Sequence, residues 1–412
     1  MISRKIFYSF RSAEVIISQI PLTAYIWVIL IGLSGCSASN KEDIYQYFNR
    51  NMEKSGFVGL QAAYIEDGEL AWSGSFGKKN LNTGEEVNDS TVFMIASCSK
   101  PVTALGMIKL FDQGQIDLDD DINDYLPFKI VNPNFPEKTI TIRMLLTHTS
   151  SLMDNWDVMT PLYTLQSGGG DSPISLLQLN TDYFLKGGTY YNEDKNFAQY
   201  EPGSQKAYCN MGYALTGLLI EMIAGDSFPA YMQKEVFNPL NMHNTYWLLA
   251  DIPNENIARP HEIKTDDTEQ VEYKVLDNYG YPDYPDGQIR TTVRDYAQIL
   301  KLMVNNGMVN GKPFVREETM QEILRIQYPD VNKYQAISWN YNEFDHWLYY
   351  LLNPRLPAHT GVDPGVATVT CFDPVNKTGA VIFLNNSAPS SFETMKLFYM
   401  DMVKRLLNEY PN

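Results

Sequence analysis

The chain has 412 residues, of which 44% are hydrophobic and 20% charged, a globular composition that excludes disordered, collagen-like and multi-span membrane proteins. Its 49 acidic residues outnumber 32 basic ones, for a formal net charge of −17. No basic surface survives that balance, so nucleic acid is excluded as a partner.

The N-terminus reads as an export signal. Arg4, Lys5 and Arg11 supply positive charge, and Pro21 to Leu33 is an apolar run too short to span a bilayer. It ends in Leu33-Ser34-Gly35-Cys36, small residues before a cysteine that resemble a bacterial lipobox. Residues 1–35 are therefore expected to be a lipoprotein signal peptide. Cys36 would be the lipidated residue, with residues 36–41 as tether and 42–410 as one domain. The protein is expected to be exported and lipid-anchored to a bacterial membrane, facing the periplasm or cell surface. The remaining cysteines, Cys98, Cys209 and Cys371, are too few for a disulfide framework and lack metal-ligand spacing. They read as buried thiols.

In the mature chain, Ile44, Tyr47, Phe48 and Met52 recur at helical spacing. Phe57 to Ile65 and Leu70 to Phe76 read as strands around the turn Glu66-Asp67-Gly68. Met94 to Gln113 contains a helix. The acidic run Asp117 to Asp121 lacks the glycine and distal glutamate of a calcium loop and reads as a solvated turn. From about 115 to 330 the chain mixes helices and long loops. Thr141 to Leu146 leads a helix, 167–173 is a loop, Met211 to Ile223 is an apolar helix stopped at Gly225, and Thr291 to Asn306 is another helix. The tail reads as strands at Trp347 to Leu352, Val366 to Phe372 and Gly379 to Leu384, then a closing helix from Phe392 to Leu407. The pattern predicts an α+β fold. One antiparallel sheet is built from both chain ends and flanked by helices, with a mostly helical lobe inserted between.

Three short motifs carry chemistry. In Ser97-Cys98-Ser99-Lys100 the i, i+3 spacing on a helix places the hydroxyl beside the amine, a base for a nucleophilic serine. Ser75-Phe76-Gly77-Lys78 has the same pattern but sits at a strand end, so it reads as chance. In Tyr208-Cys209-Asn210, extended backbone would put a phenol and an amide on one side. Tyr47-Phe48-Asn49 and Tyr190-Tyr191-Asn192 repeat that pattern without its setting, a turn at Glu201-Pro202-Gly203 before and an apolar helix behind. His359-Thr360-Gly361 precedes the strand from Val366. The literal Lys377-Thr378-Gly379 follows a hairpin turn at Asp373 to Asn376 and leaves room for only one strand before the last helix, so it is rejected.

In this order the motifs resemble the serine β-lactamase and penicillin-binding-protein superfamily, whose signature is serine–x–x–lysine, a polar triad and a lysine–threonine–glycine-like triad. The tyrosine form of the second triad resembles the class C branch, with its β-lactamases, D-alanyl-D-alanine carboxypeptidases, D-aminopeptidases and esterases. Leu145 to Ser150 and Glu201-Pro202-Gly203 fit as well. There are two departures. His359 stands where most class C β-lactamases have lysine, and Ser151 stands where a glycine usually follows the His148 segment, which predicts a local loop change.

The resemblance implies a β-lactamase/transpeptidase-like fold and a serine hydrolase acting on peptide, amide or ester substrates. A class C-type β-lactamase is the alternative, and a silent penicillin-binding-like sensor is the alternative of another class. Ser97 would form the acyl-enzyme, with Lys100 and Tyr208 sharing general-base work. Asn210, His359, Thr360 and Gly361 would bind substrate, and the backbone N–H groups of Ser97 and Val362 would make the oxyanion hole. No metal or organic cofactor is implied. The partners are a small-molecule or peptide substrate, cell-wall-derived material among the candidates, and the membrane through the lipid anchor; oligomeric state stays open. His148 reads as a structural residue. His359, near 6.5 if unperturbed, would be mostly neutral at pH 7, would disfavour anionic substrates, and would charge as pH falls below about 6.5. Substrate specificity is assigned to loops between about 155 and 200 and between 250 and 290.

Overall fold

The computed structural model describes residues 44–253, 255–265, 271–344, 354–387 and 402–403. The expected signal peptide, Cys36, its tether and the strand at 347–352 lie outside the described residues. So does the expected closing helix, apart from Met402 and Val403, which are helical and buried. The chain divides into two units, Met1–Ile44 and Tyr45–Asn412, and the site lies in the second.

Both ends of the chain build one six-stranded antiparallel sheet. The strands are β1 (Gly59–Glu66), β2 (Glu69–Asn80), β3 (Glu85–Glu86), β4 (Ala358–Asp363), β5 (Val366–Asp373) and β6 (Thr378–Leu384). Their spatial order is β4-β5-β6-β1-β2-β3, so β1 is central and β4 is an edge. The hairpin at Asp67-Gly68 forms because both residues take positive φ, +52° and +79°. Lys377 also has positive φ, +54°, in the turn between β5 and β6, well placed for a turn residue and away from the edge strand that carries His359.

Helices cover both faces of the sheet. In α1 (Ile44–Ser55), Phe48 stacks on Trp72 and Phe76 at 5.6 and 5.2 Å. Phe76 is opposite Leu60 in the register, so α1 lies on the Leu60 face. On the opposite face, Gln61 Oε1 accepts from the Val293 N–H at 3.1 Å, which seats the helix Val293–Val304 there. Cover on both faces is why seven of the eight residues of β1 are buried, the polar Gln61 among them, with no alternation.

Two more helices hold the site. In α2 (Lys100–Asp112), Pro101 lies in the first turn, where its missing N–H has no helical partner to lose. In α3 (Asn210–Ala224), Gly225 ends the helix at φ +67°, a left-handed cap. The helix α3 belongs to the inserted lobe, and ten of its first eleven residues are apolar or glycine or buried threonine packed without an exposed face.

Met94 to Gln113 contains the expected helix, but the helix starts only at Lys100: Phe93–Met94 is a short strand paired with Arg290–Thr291, and Ala96–Ser99, which carries Ser97, is a 3-10 turn. The acidic run at 117–121 is a turn, but not a wholly free one: Arg143 pairs with Asp119 at 2.7 Å, and Tyr125 donates to Asp120. The loop change expected at Ser151 does not take the form of lost glycine geometry. Ser151 itself adopts φ +60°, held by Asn132 Nδ2 donating to its hydroxyl at 3.0 Å.

Candidate active site

The 3-10 turn explains how Ser97 meets Lys100. Residues at i and i+3 eclipse in such a turn, more closely than on an α-helix. Lys100 Nζ donates to Ser97 Oγ at 2.9 Å. Ala96 takes φ +46°, a strained value for a residue with a Cβ, and the turn that follows leaves Ser97 half-buried among fully buried neighbours. The strand pair β4–β5 pins this turn. Thr368 donates to the Ile95 carbonyl at 2.7 Å, and Cys98 Sγ lies 3.4 Å from the His359 carbonyl. Burial pushes the Cys98 thiol up to about 12, so it stays a thiol.

Lys100 is fully buried and gives its remaining hydrogens to Asp286, at 2.8 Å to the main-chain carbonyl and 3.2 Å to Oδ2. Asp286 ends the 3-10 turn Tyr284–Asp286, held against α2 by Thr103 donating to the Pro285 carbonyl at 2.6 Å. Burial alone would discharge Lys100. The Asp286 charge, then Tyr208, outweigh it and hold the ammonium above its ordinary value. Burial in turn pushes Asp286 up to about 6, against the opposing pull of Lys100. Sequence reasoning missed Asp286. It lies 186 residues from Lys100, and Tyr284-Pro285-Asp286-Gly287 reads locally as an ordinary turn.

Tyr208 is 47% exposed as a residue, yet its hydroxyl is in hydrogen-bonding reach of both Lys100 and Ser97. Burial of that hydroxyl pushes it up to about 12, with Lys100 pulling the other way. The ring stacks on His148 at 4.3 Å between centroids. The His148 carbonyl accepts from Ala207 N at 2.8 Å, and its Nδ1 accepts from Cys209 N at 3.2 Å. His148 thus positions the tyrosine segment, and burial holds it well below its ordinary value, so it is neutral.

Asn210 differs from its expected setting. Cys209 is extended, at φ −144°, but Asn210 is already the first residue of α3. Its amide Nδ2 donates to Asp154 Oδ2 at 2.9 Å, and Asp154 also accepts from the N–H groups of Asn210 and Met211. A carboxylate from a distant loop therefore caps α3. The Asn210 Oδ1 is buried with no hydrogen-bond partner among the described residues.

The third triad lies on the edge strand β4. His359 is buried, 3% exposed, with Nδ1 2.7 Å from the Thr360 carbonyl. Burial pushes it below its ordinary value, so the expected charging near pH 6.5 is displaced to lower pH. Thr360 donates through both N and Oγ1 to Glu343, at 2.9 and 2.7 Å. A Cβ on Gly361 would stand 2.9 Å from Ser97 N and 2.7 Å from the Ile95 carbonyl, so only glycine lets β4 approach the serine turn this closely. Val362, next along the edge, is 40% exposed. Beside it a hollow of about 570 Å³ is lined by Trp156, Thr160, Tyr163, Leu165 and Pro364.

The structure therefore brings Ser97, Lys100 and Tyr208 together, and places β4 with His359, Thr360, Gly361 and Val362 against the same turn. The look-alike motifs lie elsewhere. Ser75 donates to Asp89 at 2.9 Å and Lys78 pairs with Glu86 at 2.9 Å, both on β2. Tyr191 donates to Glu193, and Asn192 caps a short helix. Among the described residues no cluster of His, Cys, Asp and Glu is arranged to hold a metal ion.

Comparison with known proteins gives a family model described as beta-lactamase, matching residues 44–401. Penicillin-binding protein 4 of Amycolatopsis lactamdurans is 25% identical over 358 residues, 85% of each chain. Protein flp of Staphylococcus aureus strain N315 is 21% identical over 348 residues, 84% of this chain. The matched part spans 63% of that relative's length. Among solved structures, a class C beta-lactamase superposes with a TM-score of 0.64 at 17% identity, covering 89% of this chain and 94% of the other.

Proposed function

This chain belongs to the β-lactamase family, and on that footing we propose that it is a serine hydrolase working through an acyl-enzyme on Ser97, with peptides, amides or esters as substrates. The observation that carries the reading is the convergence of Lys100 Nζ, 2.9 Å from Ser97 Oγ, and the Tyr208 hydroxyl on one serine.

Lys100, paired with Asp286, enters the reaction as an ammonium and cannot take a proton. Tyr208 then accepts the Ser97 proton as its phenolate, the form that the Lys100 ammonium favours against burial, and becomes the neutral phenol as Ser97 Oγ attacks. Ser97 Oγ attacks the carbonyl carbon, and the Ser97 and Val362 N–H groups receive the oxyanion. Tyr208 returns the proton to the leaving group, and in the second half it takes a proton from the water that hydrolyses the ester. Asn210 Oδ1 accepts from a substrate amide. The lipobox-like Leu33-Ser34-Gly35-Cys36 supports export and a lipid anchor at a bacterial membrane.

A class C-type β-lactamase is the second reading, favoured by the superposition on such an enzyme and opposed by His359 in place of lysine. Parallel labelling with a fluorescent fluorophosphonate and a fluorescent penicillin tests both. The proposal expects strong fluorophosphonate labelling and weak penicillin labelling. Rapid turnover of penicillin would favour the β-lactamase, and no labelling by either would point to a silent binding protein.

A further inference from the structure

The resemblance places Thr360 among the substrate-binding residues. In the folded chain both of its donors are already engaged: N and Oγ1 each give their hydrogen to Oε1 of Glu343. Glu343 comes from the segment before β4, 17 residues away, and no local motif marks it.

His359 leads to the same polarity. A carbonyl oxygen only accepts, so the contact between Nδ1 and the Thr360 carbonyl requires the proton on Nδ1. Nε2 of the neutral ring is then an acceptor. Burial, together with Lys100 and Lys206, keeps the ring from charging, against the pull of Glu343. The third triad therefore offers acceptors: the His359 ring nitrogen, the lone pairs of the Thr360 hydroxyl, and the Glu343 carboxylate.

The nearby cations do not reverse this. Lys100 is bound to Asp286 and Ser97. Lys206, two residues before Tyr208, feels the Glu343 charge, yet among the described residues no Lys or Arg nitrogen lies within 4 Å of that carboxylate. Arg355 is engaged by Asn342 and the Tyr334 ring. Asp154, Asp286 and Asp363 add further carboxyl groups around Lys100.

We propose that the substrate group lying beside Thr360 is a hydrogen-bond donor, best a protonated amine, and that Glu343 selects it over a carboxylate. The inference rests on the serine-hydrolase reading, since it concerns what that site accepts. A carboxylate placed there would meet a like charge and find no free hydrogen on Thr360, whereas an ammonium would complete the acceptors.

The test uses the full chain and three acetate esters: 3-acetoxybenzoate, phenyl acetate and 3-(aminomethyl)phenyl acetate, whose amine is protonated at neutral pH. Fluorophosphonate labelling of Ser97 first establishes the nucleophile. Glu343→Gln should raise the kcat/KM of the carboxylate ester relative to phenyl acetate by roughly tenfold and lower that of the cationic ester by a similar factor. Lys206→Met should move both ratios the opposite way. In the wild type, benzylammonium should slow Ser97 labelling at lower concentration than benzoate does, which decides the matter even if a variant fails to fold. Ratios unmoved in both variants, or benzoate protecting better than the ammonium, would overturn the inference while leaving the hydrolase intact. A wild type that Ser97 labelling never marks would overturn the hydrolase reading, and this inference with it.

Discussion

The buried ammonium of Lys100 lies 3.2 Å from the carboxylate of Asp286, a residue 186 positions along the chain. In the proposed mechanism this contact sets the division of labour at Ser97: with the carboxylate charged, the lysine is held as a cation, and the neighbouring tyrosine, as phenolate, takes the proton.

The first prediction concerns pH. Burial raises Asp286 to about 6, so it is charged above that value and neutral below it. Acylation should rise with pH through about 6 in the wild type, as Asp286 loses its proton. In Asp286→Asn that limb should be absent. The plateau should be lower on the order of 10²-fold, as for loss of a group that supports an acid–base catalyst. Stopped-flow acylation from about pH 5 to about pH 8, roughly three units around the raised carboxyl value, checks both points; an unchanged limb would mean that another group titrates.

Tyr208→Phe removes the hydroxyl shared by Ser97 and Lys100 and should lower turnover on the order of 10²–10⁴-fold. Tyr191→Phe, from the look-alike motif on the surface, should leave the rate of ester hydrolysis as it is. Steady-state kinetics of the two variants with one neutral ester distinguishes them.

His359 gives a prediction about specificity. Burial depresses its proton affinity, so the ring is neutral above the ordinary histidine range and stays neutral somewhat below it. The ratio of acylation rates for a penicillin and an uncharged ester should hold constant between pH 8 and about 6.5, the ordinary imidazole value. A ratio that rises in step with an ordinary imidazole titration would show His359 to be exposed to solvent and charged by it.

Gly361→Ala tests the close approach of β4. The new methyl would press on Ser97 N, the Ile95 carbonyl and the Thr368 hydroxyl, two of them backbone atoms that cannot swing aside. The cost should be about 1–3 kcal/mol of stability, read from urea unfolding, together with a fall in Ser97 acylation. A variant with native stability and full labelling would mean that the strand and the turn are not packed as described.

Much of this was legible from local pattern. The hairpin of β1 and β2, the helix ending at Gly225 and the placement of Lys377 in a turn follow from periodicity and turn chemistry. The serine and lysine were paired by spacing, although a 3-10 turn, and not an α-helix, creates the pairing. What stayed hidden depends on contacts between distant segments. Asp286 on Lys100, Asp154 under Asn210 and Glu343 on Thr360 are carboxylates in loops, and in sequence they resemble any other solvated acid. Ser151 carries a different lesson, since a serine held by Asn132 can occupy the left-handed conformation where glycine was expected.

The most direct test of the account is to find which serine becomes acylated. Wild-type protein, Ser97→Ala and Ser75→Ala are treated with a fluorophosphonate, digested and mapped by mass spectrometry. The account predicts one adduct, on Ser97, in the wild type and in Ser75→Ala, and none in Ser97→Ala. An adduct on any other serine, or labelling that survives in Ser97→Ala, would contradict it.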